Sequence, residues 1–320
     1  MVRAQPQRTG PLVSVIVPSY NQGRYIRETL MSILSQDYRP LEVLVMDGGS
    51  KDDTVAILTE LAAKHLELRW WSEPDYGPAD AVNKGLAKAK GEFGCIQSSD
   101  DLSYPGAVRA AVAVLRAHSD CALAYGDTDA VEDGVRSPPS HLPDFSWEAF
   151  FGMSCCWPQG AILFSLPLAR QIGGWRAQYY ACDLDFWLRL AFRTRMRKVD
   201  HVMYGWRRYQ GQRTRPEVHG RICADYRRMI AESEDLKAAP PRLRWLAAAS
   251  THIMLVRFNP SGSLWSRRWH LLLATLMHPG HWRYALPQDS RMLVPGYRWL
   301  RPVWRTLRGR RRDASKLQTS

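Results

Sequence analysis

The sequence predicts an α/β fold with a mainly parallel central sheet, and three observations predict it. Short apolar, β-branched runs alternate with segments of helical spacing through the first 130 residues. Each run ends in a cluster of turn-forming or acidic residues. The chain has 320 residues and is 45% apolar, enough to bury a large core in one sizeable domain plus an appendage. Repeated βα units of this length require right-handed crossovers, which lay the strands side by side and parallel.

The first strand is the β-branched run 13–17, stopped by Pro18-Ser19-Tyr20-Asn21, and Ile26, Leu30, Ile33 and Leu34 then recur at helical spacing. A second strand over 41–46 ends at Asp47-Gly48-Gly49-Ser50, whose glycines permit a tight turn. Asp52 or Asp53 can cap the helix that carries Val55, Leu58 and Leu61. A third strand over 66–71 leads through Pro74-Asp75-Tyr76-Gly77 to a helix with Pro78 in its first turn and Ala81, Val82, Gly85 and Leu86 along one side. The fourth strand ends at Ser99-Asp100-Asp101, and Pro105 opens a helix with Val108, Val112 and Leu115 inward.

Carboxylates therefore stand where strands end: Asp47, then the pair Asp100 and Asp101, with Asp183 further along. In an open α/β sheet the carboxyl ends of the strands form the ligand crevice, and carboxylates there suit a nucleotide, a divalent cation and a general base. Two other nucleotide chemistries lose their support. Gly-x-Gly-x-x-Gly does not follow the first strand, and Gly-x-x-x-x-Gly-Lys-Ser/Thr does not occur. Without a glycine-rich cradle a diphosphate needs another counter-charge, and a cation held by one or two carboxylates supplies it. The six cysteines show no Cys-x-x-Cys and no metal-ligand spacing, so they are expected to be reduced and mostly buried.

The motifs Val15-Ile16-Val17-Pro18-Ser19-Tyr20-Asn21, Ser32-Ile33-Leu34-Ser35-Gln36, Glu42-Val43-Leu44-Val45-Met46-Asp47-Gly48-Gly49-Ser50, Asn83-Lys84-Gly85 and Ser99-Asp100-Asp101 occur in this order. Gly173-Gly174-Trp175 and Asp183-Leu184-Asp185-Phe186-Trp187-Leu188-Arg189-Leu190 follow. As a set they resemble the family-2 inverting glycosyltransferases of the GT-A fold, a Rossmann-like nucleotide-diphospho-sugar transferase plan, over roughly residues 11–215. The resemblance implies that Tyr20 lies against the nucleobase, Asp47 hydrogen-bonds it, Asp100 reaches the ribose and Asp101 holds a Mn2+ or Mg2+ ion bridging the diphosphate. Pro18, Asn21, Asp80, Lys84 and Ser99 complete the expected nucleotide site. Each has a plainer reading beside it: Tyr20 as loop packing, Asp47 as a turn stabiliser, Asp100 as a helix cap.

The resemblance aligns Asp183 with the general base of an inverting transfer, one carboxylate taking the acceptor's proton. Asp185 is the competing candidate, as base, cap or acceptor contact. The family often has Glu before this aspartate, where Cys182 stands here, and many relatives carry a metal-assisting His where Tyr209 stands. Acceptor contacts are expected from the aromatic stretch between the donor half and the base, with Trp157, Gln159 and Trp175 foremost.

These readings divide the chain into a flexible N-terminus (1–10), a transferase domain (11–235, its nucleotide-sugar half 11–130 and its acceptor half 131–235) and a basic Trp/Arg-rich helical region (236–320). The formal net charge is +13, and residues 241–320 hold 15 Lys+Arg against 2 Asp+Glu, so the whole excess sits there. Interleaved Arg, Trp and Leu suit an anionic bilayer interface, with a plain helical appendage as the alternative. Nucleic acid is not expected as partner, because no binding motif accompanies the charge. With no apolar leader and no spanning run, the expected place is the cytoplasm, peripheral on the inner face of the membrane. The expected partners are a nucleoside-diphosphate sugar, by default a UDP-sugar, and a glycan or lipid-linked acceptor. An inactive nucleotide-sugar-binding scaffold is the alternative, and a nucleotidyltransferase a weaker one, since its glycine- and basic-rich N-terminal loop is missing.

Overall fold

A computed structural model describes residues 10–152, 160, 162–213, 216–258 and 263–277. The expected flexible N-terminus, apart from Gly10, lies outside the described residues, as do Trp157 and Gln159. Strands β1 (Val13–Ser19), β2 (Leu41–Asp47), β3 (Leu68–Ser72) and β4 (Phe93–Ile96) alternate with helices α1 (Ile26–Leu34), α2 (Thr54–Lys64) and α3 (Pro78–Lys88). They form a parallel array in the order β3-β2-β1-β4. The alternation expected from the sequence is thus the observed one. Its third strand starts two residues later than periodicity suggests, because Leu68 N donates to the His65 carbonyl at 3.0 Å and Leu66, in that turn, is solvent-exposed.

The second half extends the same sheet. It comprises β5 (Leu102–Ser103), α4 (Ala107–Ala117), β6 (Cys121–Glu132), β7 (Val135–Arg136), α5 (Trp147–Phe151), β8 (Ile162–Ser165), α6 (Leu166–Gln171), α7 (Cys182–Ala191) and β9 (Arg195–Arg208). β8 runs antiparallel between β4 and β6, β9 lies parallel to β6, and β5 caps the far edge against β9. Four further helices, α8 (His219–Glu232), α9 (Glu234–Ala238), α10 (Pro241–Phe258) and α11 (Leu264–Met277), close the described chain.

Side chains of a strand alternate between faces, and the sheet is buried on both. Val15, Val17, Val43 and Val45 pack with Leu30, Leu58 and Val112 on one face. Ile16, Leu44 and Ile96 pack with Val82, Phe164 and Trp187 on the other. Leu246, Ala247 and Met254 of α10 belong to this second cluster together with Ile222 and Cys223 of α8. α10 is therefore a core helix, and residue 235, where the sequence placed a boundary, falls inside α9.

The Gly173-Gly174-Trp175 motif has a local physical cause. Gly174 has φ +65°, a left-handed backbone that disfavours side chains, and a Cβ there would strike the Asn83 carboxamide. That carboxamide accepts from Trp175 N and donates to Trp175 O, both at 2.8 Å, so Asn83 of α3 fixes the tryptophan. From the other side Arg189 donates to the carbonyls of Ile172 and Gly174 and pairs with buried Asp185 at 2.7 Å.

Arg189 thus neutralises a carboxylate that is 3% exposed, with Arg176 at 3.4 Å as a second cation. Replacing Arg189 by Ala strands a buried charge and two carbonyls, and should lower stability by about 3–5 kcal/mol. Urea denaturation of the variant checks this, and a loss under about 1 kcal/mol would show that the pair does not hold the motif.

Candidate active site

The carboxyl ends of β1, β2 and β3 are in register, with Ser19 opposite Asp47 and Asp47 opposite Ser72. Asp47 is 2% exposed and binds the turn that follows it. Its carboxylate accepts from Gly49 N at 3.2 Å, Ser50 N at 2.9 Å, the Ser50 hydroxyl and, across the sheet, the Ser72 hydroxyl at 2.6 Å. Asn21, at φ +51°, ties the first loop to the second by donating its N–H to Ser50 Oγ at 2.7 Å and accepting from Lys51 N at 2.8 Å. Gln22 N donates to Thr54 Oγ1 at 2.9 Å, and Gly23 N to Asp52 at 2.8 Å. The two loops form one hydrogen-bonded rim.

Helix α1 positions the acidic pair. Thr29 Oγ1 donates to the Ser99 carbonyl at 3.0 Å, Ser32 Oγ accepts from Ser103 N at 3.0 Å, and the Gln36 amide donates to the Tyr104 carbonyl at 2.8 Å. Three polar side chains at helical spacing thus fix residues 99–104, which explains why Ser32 and Gln36 stand in the motif.

β9 holds the pair from the opposite side. Tyr204 OH donates to Asp101 Oδ2, and Arg207 N donates to Asp101 Oδ1 at 2.7 Å. Tyr209 OH donates to Asp100 Oδ2 at 2.8 Å, and Arg207 Nε donates to the Asp100 carbonyl at 2.7 Å. Arg207 is itself steadied by Glu28 at 2.7 Å and lies over the Tyr25 ring at 4.9 Å. Tyr209, at the position where the resemblance puts a metal-assisting His, is a hydrogen-bond donor to the acidic pair.

A cleft of about 700 Å³ opens over this floor. Of the expected residues Pro18, Tyr20, Ser99, Asp100, Asp101 and Trp175 line it together, with Ser19 beside them. Tyr20 presents a largely exposed ring there, and Tyr209, Trp206, Tyr180 and Arg213 form the far wall. Arg213 stacks on Tyr180 at 4.1 Å and donates to its carbonyl at 3.0 Å. Two other expected residues serve the wall instead of lining it: Lys84 pairs with Glu73 at 3.0 Å and Asp80 at 3.2 Å, and Asp80 also accepts from Tyr76 N. Asp183, half-buried, sits in the first turn of α7, three residues after Tyr180. Asp185 faces inward to Arg189.

The sequence reading missed Asp75 and Tyr204. Asp75 lines the cleft and burial raises its carboxyl above the usual range. The strand-end rule that selected Asp47 and Asp100 applies to it equally, since it follows β3. Tyr204 meets Asp101 across 103 residues, and no local pattern announces such a contact.

Burial, and then the charge of Asp100, pushes the Asp101 carboxyl up to about 8. Burial also raises Asp100. An unfolded Asp titrates near 3.9, so the folded chain holds a proton at Asp101 that the unfolded chain has released between about pH 4 and 8. The stability contribution is complete below about pH 4 and is lost as pH rises through about 8. Asp101→Asn is neutral at every pH and should gain stability over the parent that grows as pH rises from 5 to 8, by up to about 1.4 kcal/mol per pH unit, in urea titrations. A difference that does not grow with pH would contradict the assignment.

The pattern of Glycosyl transferase family 2 matches residues 14–158. An uncharacterized glycosyltransferase of Mycobacterium tuberculosis is 35% identical over 189 residues, 57% of this chain and 70% of that protein. An uncharacterized protein of Sinorhizobium fredii is 31% identical over 212 residues, of which this chain spans 64% of itself and 23% of the relative. Among solved structures, Staphylococcus aureus TarS 1–349 in complex with UDP-GlcNAc superposes with a TM-score of 0.61 at 19% identity, covering 90% of this chain and 91% of that one. The mannosyltransferase PcManGT of Pyrobaculum calidifontis, in complex with GDP-Man and Mn2+, gives 0.59 at 22% identity, covering 96% and 87%. The fold is the GT-A plan of these transferases. With its strand-end carboxylates, its Gly-Gly-Trp turn and its acidic α7 in the order the motifs require, the chain belongs to glycosyl transferase family 2.

Proposed function

We propose that the protein is an inverting glycosyltransferase that moves a sugar from a nucleoside-diphosphate donor, by default a UDP-sugar, to a hydroxyl of a glycan or lipid-linked acceptor. The observation that carries this reading is the acidic pair Asp100 and Asp101 on the floor of a cleft that Tyr20 and Trp175 also line. Tyr20 offers a flat face to the base, and Asp100 a carboxylate to the ribose. Asp75, beside them, is a further acceptor for base or ribose donors. Asp47 and Asn21 hold the rim in shape, and Lys84 with Asp80 holds the loop after β3.

The donor set fits a divalent cation. Asp100 and Asp101 supply adjacent hard oxygens that would hold a Mn2+ or Mg2+ ion, and PcManGT is solved with Mn2+. Such an ion would offset the charge that develops on the departing diphosphate. Arg213, beside the cleft, adds a point charge on the same side. Ser19 Oγ and Trp175 Nε1, buried on lining residues, have no hydrogen-bond partner among the described residues and suit a polar ligand.

Asp183 serves as general base. The acceptor oxygen attacks the anomeric carbon opposite the diphosphate, its proton passes to the Asp183 carboxylate, and the bond from carbon to phosphate oxygen breaks, releasing the nucleoside diphosphate. Asp185, committed to Arg189, orients the Trp175 turn and does not compete for this role. The basic C-terminal region keeps the enzyme at an anionic membrane surface, where a lipid-linked acceptor would be presented.

Turnover of a panel of nucleotide sugars, read as nucleoside diphosphate released in the presence of acceptor extracts, tests the reading. Asp183→Asn should lower kcat by roughly 10²- to 10⁴-fold while nucleotide affinity stays within about twofold. Near-normal turnover would remove Asp183 from the role. Nucleotide binding with no turnover in the parent protein would assign the scaffold reading instead.

A further inference from the structure

Helix α11 is apolar on two opposite faces. Leu271 and Ala274 pack against Ile253 and Val256 of α10 in a small core of their own. Trp265, Trp269, Leu272 and Leu276 are 77%, 58%, 47% and 69% exposed. Their spacing of four, three and four residues keeps them in one stripe along the side away from α10, about 16 Å long at 1.5 Å per residue. Single exposed apolar residues need no explanation, but an aligned series that includes two tryptophans marks an interaction surface.

The charge around the stripe identifies the partner's chemistry. Neither α10 nor α11 contains an Asp or Glu, whereas both carry arginines. They open the segment in which 15 Lys+Arg face 2 Asp+Glu. Indole rings settle at the headgroup level, leucines beneath it, and guanidinium groups reach lipid phosphates. No described helix is long and apolar enough to cross a membrane, so this one would lie in the interface plane.

We propose that the stripe formed by Trp265, Trp269, Leu272 and Leu276 docks α11 flat on an anionic lipid surface. The inference rests on the membrane reading of the C-terminal region and adds the face that makes the contact. α10 transmits the attachment to the catalytic body. Its Leu246, Ala247 and Met254 lie in the main core, and Ser250 bonds Tyr226 of α8 at 2.8 Å.

The test is flotation of the full chain with phosphatidylglycerol-containing vesicles and with pure phosphatidylcholine vesicles. The parent should float with the anionic vesicles at least tenfold more strongly than with the neutral ones. The double variant Trp269→Ser, Leu272→Ser should lose at least tenfold of that binding, while Leu66→Ser, which alters a still more exposed leucine far along the chain, should not change it. Both variants should retain the parent's far-ultraviolet circular dichroism. If the parent floats and the double variant floats equally well, the stripe is overturned while membrane attachment by other basic residues stands. If the parent does not float, both fail. If the parent self-associates and the double variant is monomeric with no change in flotation, the stripe belongs to a second copy of the chain and the proposal is overturned.

Discussion

Two adjacent carboxylates, Asp100 and Asp101, are withdrawn from water at the end of β4, and much of the surrounding structure exists to keep them there. Left alone, such a pair would repel and solvate. Thr29 and Ser32 of α1 and Gln36 just after it fix the backbone of residues 99–104, and β9 with the residue that follows it delivers Tyr204, the Arg207 amide and Tyr209 to the carboxylate oxygens. The result is a polar floor that is fixed in place. Pre-organised oxygen groups of this kind suit a cation and a polyanion arriving together.

The other end of the cleft follows a different principle. Trp175 is set by a left-handed glycine, by the Asn83 carboxamide and by the Asp185–Arg189 pair, three devices from three elements. Asp183 and Asp185 sit one residue from each other's neighbour on α7, yet helical geometry sends the second into the core and leaves the first half-buried near Tyr180. One short acidic segment thus supplies a structural anchor and a candidate base. The side chains that fix the Trp175 turn and the candidate base share a single helix.

Much of this was legible in the sequence because it is local. Strand runs, the helical spacing of Ile26 to Leu34, Pro78 at a helix start and the strand-end position of Asp47 and Asp100 are all short-range signals, and the parallel pairing of the first four strands follows from the repeated βα units. What was not legible is long-range or competitive. Nothing near Asp47 in the chain says that Ser72 will join Ser50 in saturating it, and nothing near Asp101 names Tyr204. The basic C-terminal stretch read as a uniform surface feature, yet α10 carries enough apolar residues around its circumference to enter the core. Only α11, with one face buried and the opposite one bare, retains the surface character that composition suggested for both.

On the proposed reading Asp101 and its neighbour form the cation-dependent floor of a nucleotide site. Calorimetric titration of the protein with UDP, GDP, dTDP and CDP, each with and without Mn2+, beside Asp101→Ala, decides this. Mn2+-dependent binding of one nucleotide that disappears in the variant is the expected result. Binding that ignores both the ion and the substitution, or no binding of any of the four, would contradict it.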